Sequence, residues 1–350
     1  MAGLVAAARL RELGVAPTVL EKGTRPGGSM LLSSGVIWRH SSLDDFHEEC
    51  PDGDSELQGL IVEQLDDRLD WLESLGASVT NPSTGNSRTV GRRFDPPQLT
   101  ETLLGRAGEV RLAERLGGLD DEPVLLATGG FGATLARQLS LPLRAGPWSE
   151  GDGLLLARER NAATSRGMDE FYGRALPAPP ARLPTDGFVP LAQVYGRYTL
   201  VLDEEGTPIP SADRAWHEND LVQAIARRPG GRAWYLVGDE ALGLPVTYGT
   251  VEERIEAARA AGGTVLTPAE LPFTVPNGYR YAVHVTATVT HTIGGLVADR
   301  DARVLRDDGT PVEGLYAAGV DVGGVATGGY ASGLAAALVL GCVAAESMAG

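Results

Sequence analysis

The spacing of apolar residues predicts two helices in the first quarter of the chain. Residues 3–13 are mostly small and aliphatic, and Gly14 follows them as a residue typical of the position after a helix end. Across residues 57–75 the apolar side chains recur three and four positions apart, which indicates an amphipathic helix. The apolar positions of this second pattern are Leu57, Leu60, Ile61, Leu65, Leu69 and Leu72.

Short apolar runs and period-two alternation predict the strands. Residues 17–20 form a short β-prone run, and residues 123–128 form a buried strand that leads into two glycines. Residues 281–289 alternate, with apolar side chains at the odd positions and His284 on the opposite, polar face. Residues 81–97 are rich in turn-forming types, so we predict no regular element there.

The last part of the chain predicts a loop, a hairpin and a helix. The sequence HTIGGL, residues 291–296, reads as a loop after the alternating strand. Residues 301–312 predict a hairpin with Asp308-Gly309 as its turn. Residues 334–345 are too short for a membrane span and are interrupted by Gly341, so they predict a buried helix.

The character of the chain changes at residue 177. Prolines cluster in PAPPARLP, residues 177–184, and glycines become sparser until about residue 277. We interpret this stretch as an inserted domain. The predicted fold is of the α/β class, with residues 177–280 as an inserted α+β domain.

Composition indicates a globular protein and argues against several partners. The 350 residues suffice for two domains, with 43% hydrophobic and 22% charged residues. A net charge of −16 argues against nucleic acid or an anionic membrane as a partner. Two distant cysteines and five scattered histidines predict neither a disulfide framework nor a metal site. With no signal-peptide pattern, we expect a cytoplasmic protein.

Glycines at strand and helix boundaries point to a cofactor. A dinucleotide fold needs a glycine turn, a helix whose N-terminus faces the diphosphate, and an acidic residue that accepts the ribose hydroxyls. Gly3, the first helix and Glu21 provide the second half of such a unit. One glycine loop is usually only a turn, but several favour a large, extended cofactor. The further clusters are Gly27-Gly28-Ser29, Thr128-Gly129-Gly130, Gly151-Asp152-Gly153, and Gly323-Gly324 through Ser332-Gly333.

The order of these motifs resembles that of the FAD-binding flavoproteins of the fumarate reductase/succinate dehydrogenase family, with 3-ketosteroid dehydrogenases and L-aspartate oxidase as relatives. The matching segments span nearly the whole chain, and ATGGF, HTIGGL and GLYAAG in this order are the most specific of them. The resemblance implies a Rossmann-like FAD-binding domain made from both ends of the chain, residues 1–176 and 281–350, with an α+β capping domain of residues 177–280 inserted between them. The matching segments are AGLVAAARLRELG, VLEKG, GGSMLLSSGVIW, VLLATGGFG, EGDGLLLAR, YAVHVTATVTHTIGGL, ARVL, GTPVEGLYAAG and GGVATGGYASGLAAALVLG.

The resemblance also implies a set of cofactor-binding residues. Glu21 would bind the adenosine ribose, and the N-terminus of the last helix would face the flavin pyrimidine, where its partial positive charge stabilises reduced, anionic flavin. Family members with covalent flavin have a histidine in place of Ser29, so FAD is expected to be non-covalent here. The full set is Gly3, Glu21, Lys22, Gly28, Ser29, Ser34, Gly35, Thr128, Gly129, Asp152, Gly319, Asp321, Ser332, Gly333, Leu334 and Ala335.

The chain departs from the family pattern at three places. Met1-Ala2-Gly3 fits only the last three positions of GxGxxG, so we expect either a start that lies further upstream or the loss of part of the phosphate site. Val320 stands where the family has a glutamate, and Asp321 is an imperfect substitute. Residues 93–123 are also fewer than in relatives, which carry a longer strand meander.

Tyr330 and His291 are the predicted catalytic residues. Fumarate reductases have an arginine in the glycine-rich segment before the last helix. This chain has Tyr330 there, and ketosteroid-type relatives also have a tyrosine in that segment. A phenol can polarise a carbonyl or take a proton. His291 falls where dicarboxylate-reducing relatives have a substrate-binding histidine. The purely structural alternative for Tyr330 is an aromatic ring packed under a glycine turn, and for His291 it is a histidine that only forms structural hydrogen bonds.

Two arginines of the predicted cap are weaker candidates. Arg280 and Arg214 could each contact an anionic substrate group, although the pattern favours a solvated charge for each. The remaining histidines are assigned to surface or supporting positions. They are His40, His47, His217 and His284.

Two functions of different class follow. The first is an FAD-dependent oxidoreductase that transfers a hydride between flavin N5 and a small organic substrate, at a C–C bond next to a carbonyl, with an unidentified electron donor or acceptor. Because the dicarboxylate arginine is missing, this version favours a ketone-like or bulkier substrate. The alternative is a truncated, catalytically silent flavoprotein-like protein with weak or no FAD binding. NAD alone is disfavoured, since GLYAAG and the last helix have no role in a simple NAD domain.

Overall fold

The computed structural model describes residues 1–119, 122–185, 187–210, 216–247 and 249–350; Arg214 lies outside them. The helices are α1 (Ala2–Glu12), α2 (Leu43–Glu49), α3 (Ser55–Ser74), α4 (Pro96–Ala107), α5 (Gly132–Leu139), α6 (Asp152–Glu159), α7 (Phe188–Leu191), α8 (Asn219–Ala226), α9 (Asp239–Leu242), α10 (Val251–Ala260) and α11 (Gly333–Ala349). The strands are β1 (Val19–Glu21), β2 (Val36–His40), β3 (Val79–Asn81), β4 (Thr89–Phe94), β5 (Val110–Leu112), β6 (Val124–Leu126), β7 (Phe171–Pro177), β8 (Leu200–Leu202), β9 (Arg232–Val237), β10 (Pro245–Val246), β11 (Gly249–Thr250), β12 (Val265–Leu266), β13 (Tyr281–Thr292), β14 (Arg303–Leu305) and β15 (Pro311–Ala317).

The chain folds into two compact units that do not follow the predicted boundaries. The first unit consists of residues 1–134, 145–171 and 291–350, and the second consists of residues 135–144 and 172–290. The second unit thus includes most of β7 and β13, because these two strands pair with each other in one sheet. The sequence pattern had assigned both to the first domain, since neither strand carries a signal for its partner.

The described part of the first unit contains three small sheets. β1 pairs in parallel with β5, and β6 pairs in parallel with β15, whose other neighbour is the antiparallel β14. The third sheet is antiparallel, in the order β2-β4-β3. Among the residues that the structure describes, the second edge of β1 and that of β6 have no strand partner. The hairpin of β14 and β15 is as predicted, with Gly309 at φ +80° in its turn.

The prediction of no element in residues 81–97 is wrong. β4 is the central strand of its sheet, and α4 begins at Pro96. A Cβ built on Gly91 would lie 2.1 Å from the carbonyl oxygen of Ile37, so the glycine allows β2 and β4 to approach. Gly91 and the two arginines after it interrupt the apolar alternation, which is why the strand could not be recognised.

Helices α1, α3 and α11 form the apolar centre of the first unit. The six predicted apolar positions of α3 are each no more than 2% exposed. α11 is buried from Ala335 to Ala345, as predicted. It approaches α1 closely, since a Cβ on Gly341 would lie 2.9 Å from the carbonyl oxygen of Ala2. None of the described helices is both long and apolar enough to cross a membrane.

Glu346 ties these three helices together at one end. Its two carboxylate oxygens accept hydrogen bonds of 2.8 Å from Arg68, and Oε1 accepts a further bond of 2.9 Å from Arg9. Burial by itself would raise the pKa of Glu346, but the hydrogen bonds and charges of the two arginines hold that pKa below its usual value. The carboxylate therefore stabilises the fold in its ionised form.

We expect Glu346→Gln to lower the free energy of unfolding by about 1 kcal/mol near neutral pH, a modest loss because the pair is partly exposed. The folded-state pKa is depressed, so this contribution is present above the unfolded-state pKa of glutamate and is lost as pH falls through the folded-state value. Urea unfolding of the wild type and of Glu346→Gln should show this difference in the free energy of unfolding near neutral pH and a smaller difference in acid. A difference that does not shrink in acid would contradict this role.

The second unit is built on an antiparallel sheet in the order β12-β13-β9-β8, with β7 also paired to β13. β13 is buried on both faces over most of its length, so the assignment of His284 to a polar face is wrong. His284 is 8% exposed and stacks on Trp234, with ring centroids 4.4 Å apart. Burial lowers its pKa despite a 2.7 Å contact between Nε2 and Glu204 Oε1.

Candidate functional site

The first cofactor candidates lie where α1 begins and β1 ends. No described side chain caps the N-terminus of α1, so the N–H groups of its first turn can meet an anion. A Cβ on Gly3 would lie 3.4 Å from the Cβ of Ala127, an ordinary van der Waals contact, so α1 begins next to the residue that follows β6. Glu21, the last residue of β1, accepts a 2.7 Å hydrogen bond from the Gly23 N–H. The charge of Glu21 acts on the amino group of Met1, the residue before α1, so a carboxylate lies near this uncapped helix end.

Lys22 and Asp152 form an ion cluster in the same unit. Lys22 Nζ lies 2.6 Å from Asp152 and 2.9 Å from Glu150, and Arg115 lies 2.6 Å from the other oxygen of Asp152. Burial would lower the pKa of Lys22, but its two acidic partners raise it. Both predicted cofactor contacts therefore already have partners within the protein.

Asp321 closes the glycine loop that follows β6. It is 2% exposed; its Oδ1 accepts a 2.7 Å hydrogen bond from the Thr128 hydroxyl, and its Oδ2 accepts a 2.8 Å bond from the Gly129 N–H. Burial raises the pKa of Asp321, and these hydrogen bonds oppose the rise. In this arrangement the carboxylate joins the short 3-10 turn Gly319–Asp321 to the loop after β6.

The glycine-rich loop after β1 leads into a 3-10 helix, Gly28–Leu32, that also lacks a side-chain cap. Ser29 Oγ accepts a 3.0 Å hydrogen bond from the Gly146 N–H. Ser34 and Gly35 follow. Gly35 has φ +71°, and a Cβ there would lie 2.0 Å from the carbonyl oxygen of Phe94, so only glycine fits. The contacts of Ser29 and Gly35 fix this loop in place, and no side chain caps the backbone N–H groups at the start of its 3-10 helix.

A pocket lies at the N-terminus of α11. Its lining includes His291, Gly319, Ser332 and Gly333, and Ser332 caps the helix by accepting the Ala335 N–H at 3.3 Å. His291 belongs to the end of β13, not to the loop after it as predicted. Its Nδ1 lies 3.1 Å from the Thr292 carbonyl oxygen, and its Nε2 would lie 3.0 Å from a Cβ on Gly333. Leu334 and Ala335 follow Gly333 in the first turn of α11.

Tyr330 is held by residues of β2 and α2. Its ring centroid lies 5.4 Å from that of Trp38, and its carbonyl oxygen lies 3.3 Å from His40 Nε2. A Cβ on Gly329 would lie 1.7 Å from the carbonyl oxygen of Glu49, at the end of α2. The chain before Tyr330 therefore runs directly against the α2 backbone.

His40 and Cys50 are neighbours of Tyr330 that sequence reasoning did not place there. Both have no measurable exposure. Burial raises the pKa of Cys50 to about 12, although a hydrogen bond from the Tyr330 backbone opposes this. Trp38 and His40 are two residues apart on β2, so their side chains lie on the same face of the strand. From this spacing the sequence could have placed His40 next to Trp38.

Arg280 is a surface residue of the second unit. Its side chain is half exposed, its Nη1 lies 3.0 Å from Asp239, and its guanidinium stacks over Tyr281 at 5.2 Å. This is the arrangement of a solvated ion pair. Within the described residues, no cluster of His, Cys, Asp and Glu is placed to hold a metal ion.

The residues present fit FAD in three ways. α1 offers an uncapped N-terminus for a diphosphate, Glu21 offers a carboxylate for ribose hydroxyls, and a glycine-lined pocket lies at the N-terminus of α11. Gly35, which only glycine can occupy, fixes the loop that would follow the flavin edge.

Comparison with known proteins supports the same cofactor. A family described as "FAD binding domain" matches residues 113–334, more than half of the chain, and a family described as "NAD(P)-binding Rossmann-like domain" matches residues 1–34. The probable fumarate reductase Ifc3 of Shewanella frigidimarina is 23% identical, over 99% of this chain and 73% of that protein. A fumarate reductase (cytochrome) of the same species is also 23% identical, over 91% of this chain and 70% of that protein.

Solved structures share the fold. The open conformation of a flavocytochrome c3 fumarate reductase has a TM-score of 0.71 at 21% identity, over 99% of this chain and 76% of that one. The 3-ketosteroid-Δ4-(5α)-dehydrogenase of Rhodococcus jostii RHA1 has a TM-score of 0.68 at 17% identity, over 100% and 95%. The 3-ketosteroid Δ1-dehydrogenase of Sterolibacterium denitrificans has a TM-score of 0.71 at 15% identity, over 99% and 97%. The predicted α/β fold with a Rossmann-like, FAD-binding domain is thereby confirmed.

Proposed function

This chain belongs to the FAD binding domain family, and from that membership we propose that it is an FAD-dependent oxidoreductase acting on a small organic substrate at a C–C bond next to a carbonyl. The observation that carries the proposal is the N-terminus of α11. His291 lines the pocket there, and Tyr330 precedes the capping residue Ser332 by two positions. The relatives are named as fumarate reductases and 3-ketosteroid dehydrogenases, which are oxidoreductases.

Bound FAD would supply the centre that accepts or donates two electrons. The protein's own groups would bind the substrate and move protons. The N-terminus of α11 favours negative charge next to it, because the partial charge of a helix is positive at that end. This charge would favour a reduced cofactor or an enolate-like substrate bound beside the helix end.

His291 and Tyr330 have complementary proton roles. A carbonyl oxygen only accepts, so the contact of His291 Nδ1 with the Thr292 oxygen requires the proton on Nδ1. In the neutral ring Nε2 is then an acceptor, and it lies on the side of the ring that faces Gly333. The Tyr330 phenol can donate to a substrate carbonyl or, after losing its proton, accept one.

Glu21 provides a test of FAD binding. We expect Glu21→Leu to weaken FAD binding by about tenfold or more, since hydrogen bonds to a charged group contribute about 1.5–3 kcal/mol each. Calorimetric titration with FAD measures this, and titration with FMN, which lacks the adenosine, is the control. An equal loss for FMN would show that Glu21 acts through its bond to Gly23 and not through the ribose.

A flavin-free role is the second candidate, and one observation favours it. Lys22, Asp152 and Asp321 already have partners within the protein. The visible absorbance of the purified chain separates the two functions. A protein that stays colourless after addition of FAD would contradict the oxidoreductase proposal and favour a binding protein.

A further inference from the structure

Trp148 is a large aromatic residue that lies at the surface of the first unit and is 45% exposed. The backbone on both sides of it is fixed by hydrogen bonds. On one side, the Gly146 N–H donates to Ser29 Oγ at 3.0 Å. On the other side, the Ser149 carbonyl oxygen accepts the Ala133 N–H at 2.9 Å. An ordered loop therefore presents the exposed indole.

The indole lies beside the carboxylate of Glu21, in the same unit. A Cβ on Gly23 would lie 2.8 Å from Cδ1 and 2.9 Å from Nε1 of Trp148, so the glycine lets the indole lie directly against the backbone after β1. The same point is 3.0 Å from Glu21 Oε1, which makes the indole and the carboxylate neighbours. The ion pair of Lys22 with Glu150, at 2.9 Å, also joins the end of β1 to the loop of Trp148.

This placement suits the base of an adenosine. A carboxylate at the end of such a strand accepts the ribose hydroxyls of a dinucleotide. In adenosine the base is attached to the ribose carbon next to the one that carries the 2′-hydroxyl, so a ribose bound at Glu21 brings its adenine close to Trp148. A base stacks favourably on an aromatic side chain, and an indole loses little conformational entropy because it has only two side-chain torsions.

We propose that Trp148 stacks on the adenine of FAD and forms the adenosine subsite together with Glu21. Single exposed apolar side chains are common and need no ligand. Trp148 differs from them because its loop is fixed and its ring lies beside the carboxylate that fits a ribose. The inference rests on the proposed FAD-dependent function and names the residue that holds the adenine end of the cofactor.

ADP is the probe, because it contains the adenosine half of FAD without the flavin. In calorimetric titrations, Trp148→Leu should bind ADP and FAD about tenfold more weakly than the wild type or worse, since one stacking contact is lost. Trp148→Phe keeps an aromatic face and should lose less. FMN, which lacks the adenosine, should bind the wild type and Trp148→Leu equally. Leu155→Ala, which shortens a 58% exposed side chain of α6, is the control and should bind ADP as the wild type does.

Tryptophan fluorescence and thermal unfolding separate stacking from a structural role. ADP should quench the fluorescence of the wild type but not that of Trp148→Leu, and both proteins should unfold at the same temperature without ligand. Absence of ADP binding to the wild type, or unchanged ADP affinity in Trp148→Leu, would overturn the proposal. Equal losses in Trp148→Phe and Trp148→Leu, or a lower unfolding temperature of Trp148→Leu, would show that the indole only supports the backbone at Gly23 and would also overturn it.

The flavin absorbance of the same samples tests the function separately. A wild-type chain that turns yellow with FAD while Trp148→Leu binds ADP as well as the wild type rejects only the stacking. A chain that binds ADP through Trp148 but stays colourless with FAD rejects the oxidoreductase and leaves a site for adenosine diphosphate.

Discussion

Replacing Tyr330 with phenylalanine should reduce turnover at least about 100-fold while the visible spectrum of the bound flavin stays unchanged, if the phenol is the acid or base. The substitution removes one hydroxyl and leaves the ring, so the packing of Tyr330 against Trp38 is preserved. The backbone contacts to His40 and Cys50 do not involve the hydroxyl and remain as well. Steady-state rates at several pH values measure the effect, and the limb of the profile that belongs to the phenol should disappear.

Tyr316→Phe is the matched control, since it removes a tyrosine hydroxyl from β15 of the same unit. Its turnover should equal that of the wild type. Unchanged turnover in Tyr330→Phe would remove this residue from the mechanism and leave His291 as the remaining candidate. A loss of flavin in Tyr330→Phe would instead show that the hydroxyl supports the cofactor site.

Gly329→Ala is expected to have the largest effect on stability. The new Cβ would lie 1.7 Å from the Glu49 carbonyl oxygen and 2.9 Å from Cys50 Sγ, so the chain before Tyr330 or the end of α2 must move. Overpacking of this kind typically costs about 1–3 kcal/mol, and a clash with backbone lies at the upper end of that range. Urea unfolding should show the loss, and turnover should fall because Tyr330 is displaced.

Gly105→Ala gives the comparison. Gly105 lies inside α4, where a Cβ would meet nothing within 4 Å, so the same substitution should stabilise the protein by up to about 1 kcal/mol. Equal effects of the two substitutions would show that the contact between Gly329 and α2 does not constrain the fold.

The predictable parts of the fold are those with a strong local pattern. α3 could be located because its six apolar positions have helical spacing, and the β14–β15 hairpin because Asp308-Gly309 is a turn signal. β4 could not be located from the sequence, because its central glycine and two arginines interrupt the strand pattern. These residues fit a strand only when β2 and β3 pair with it on either side. β13 looked half-polar because burial of its second face comes from other segments.

The candidate site shows the same division between local and distant information. Motif order was enough to select His291, Tyr330 and Glu21. It could not show that Asp321 is bonded to Thr128, because the two are distant in the chain. His40 belongs to no motif, and only its burial and its contact with Tyr330 distinguish it.

The packing of α1 against α11 has a consequence for synthesis on the ribosome. The first of the described helices buries its apolar face against the last of them. At about 5–20 residues per second, α1 waits roughly 16 to 64 s for α11 to be made. During that time its Ala- and Leu-rich face is exposed to other nascent chains, so chaperone binding early in translation is expected. The high sequence separation of this contact also predicts slow refolding.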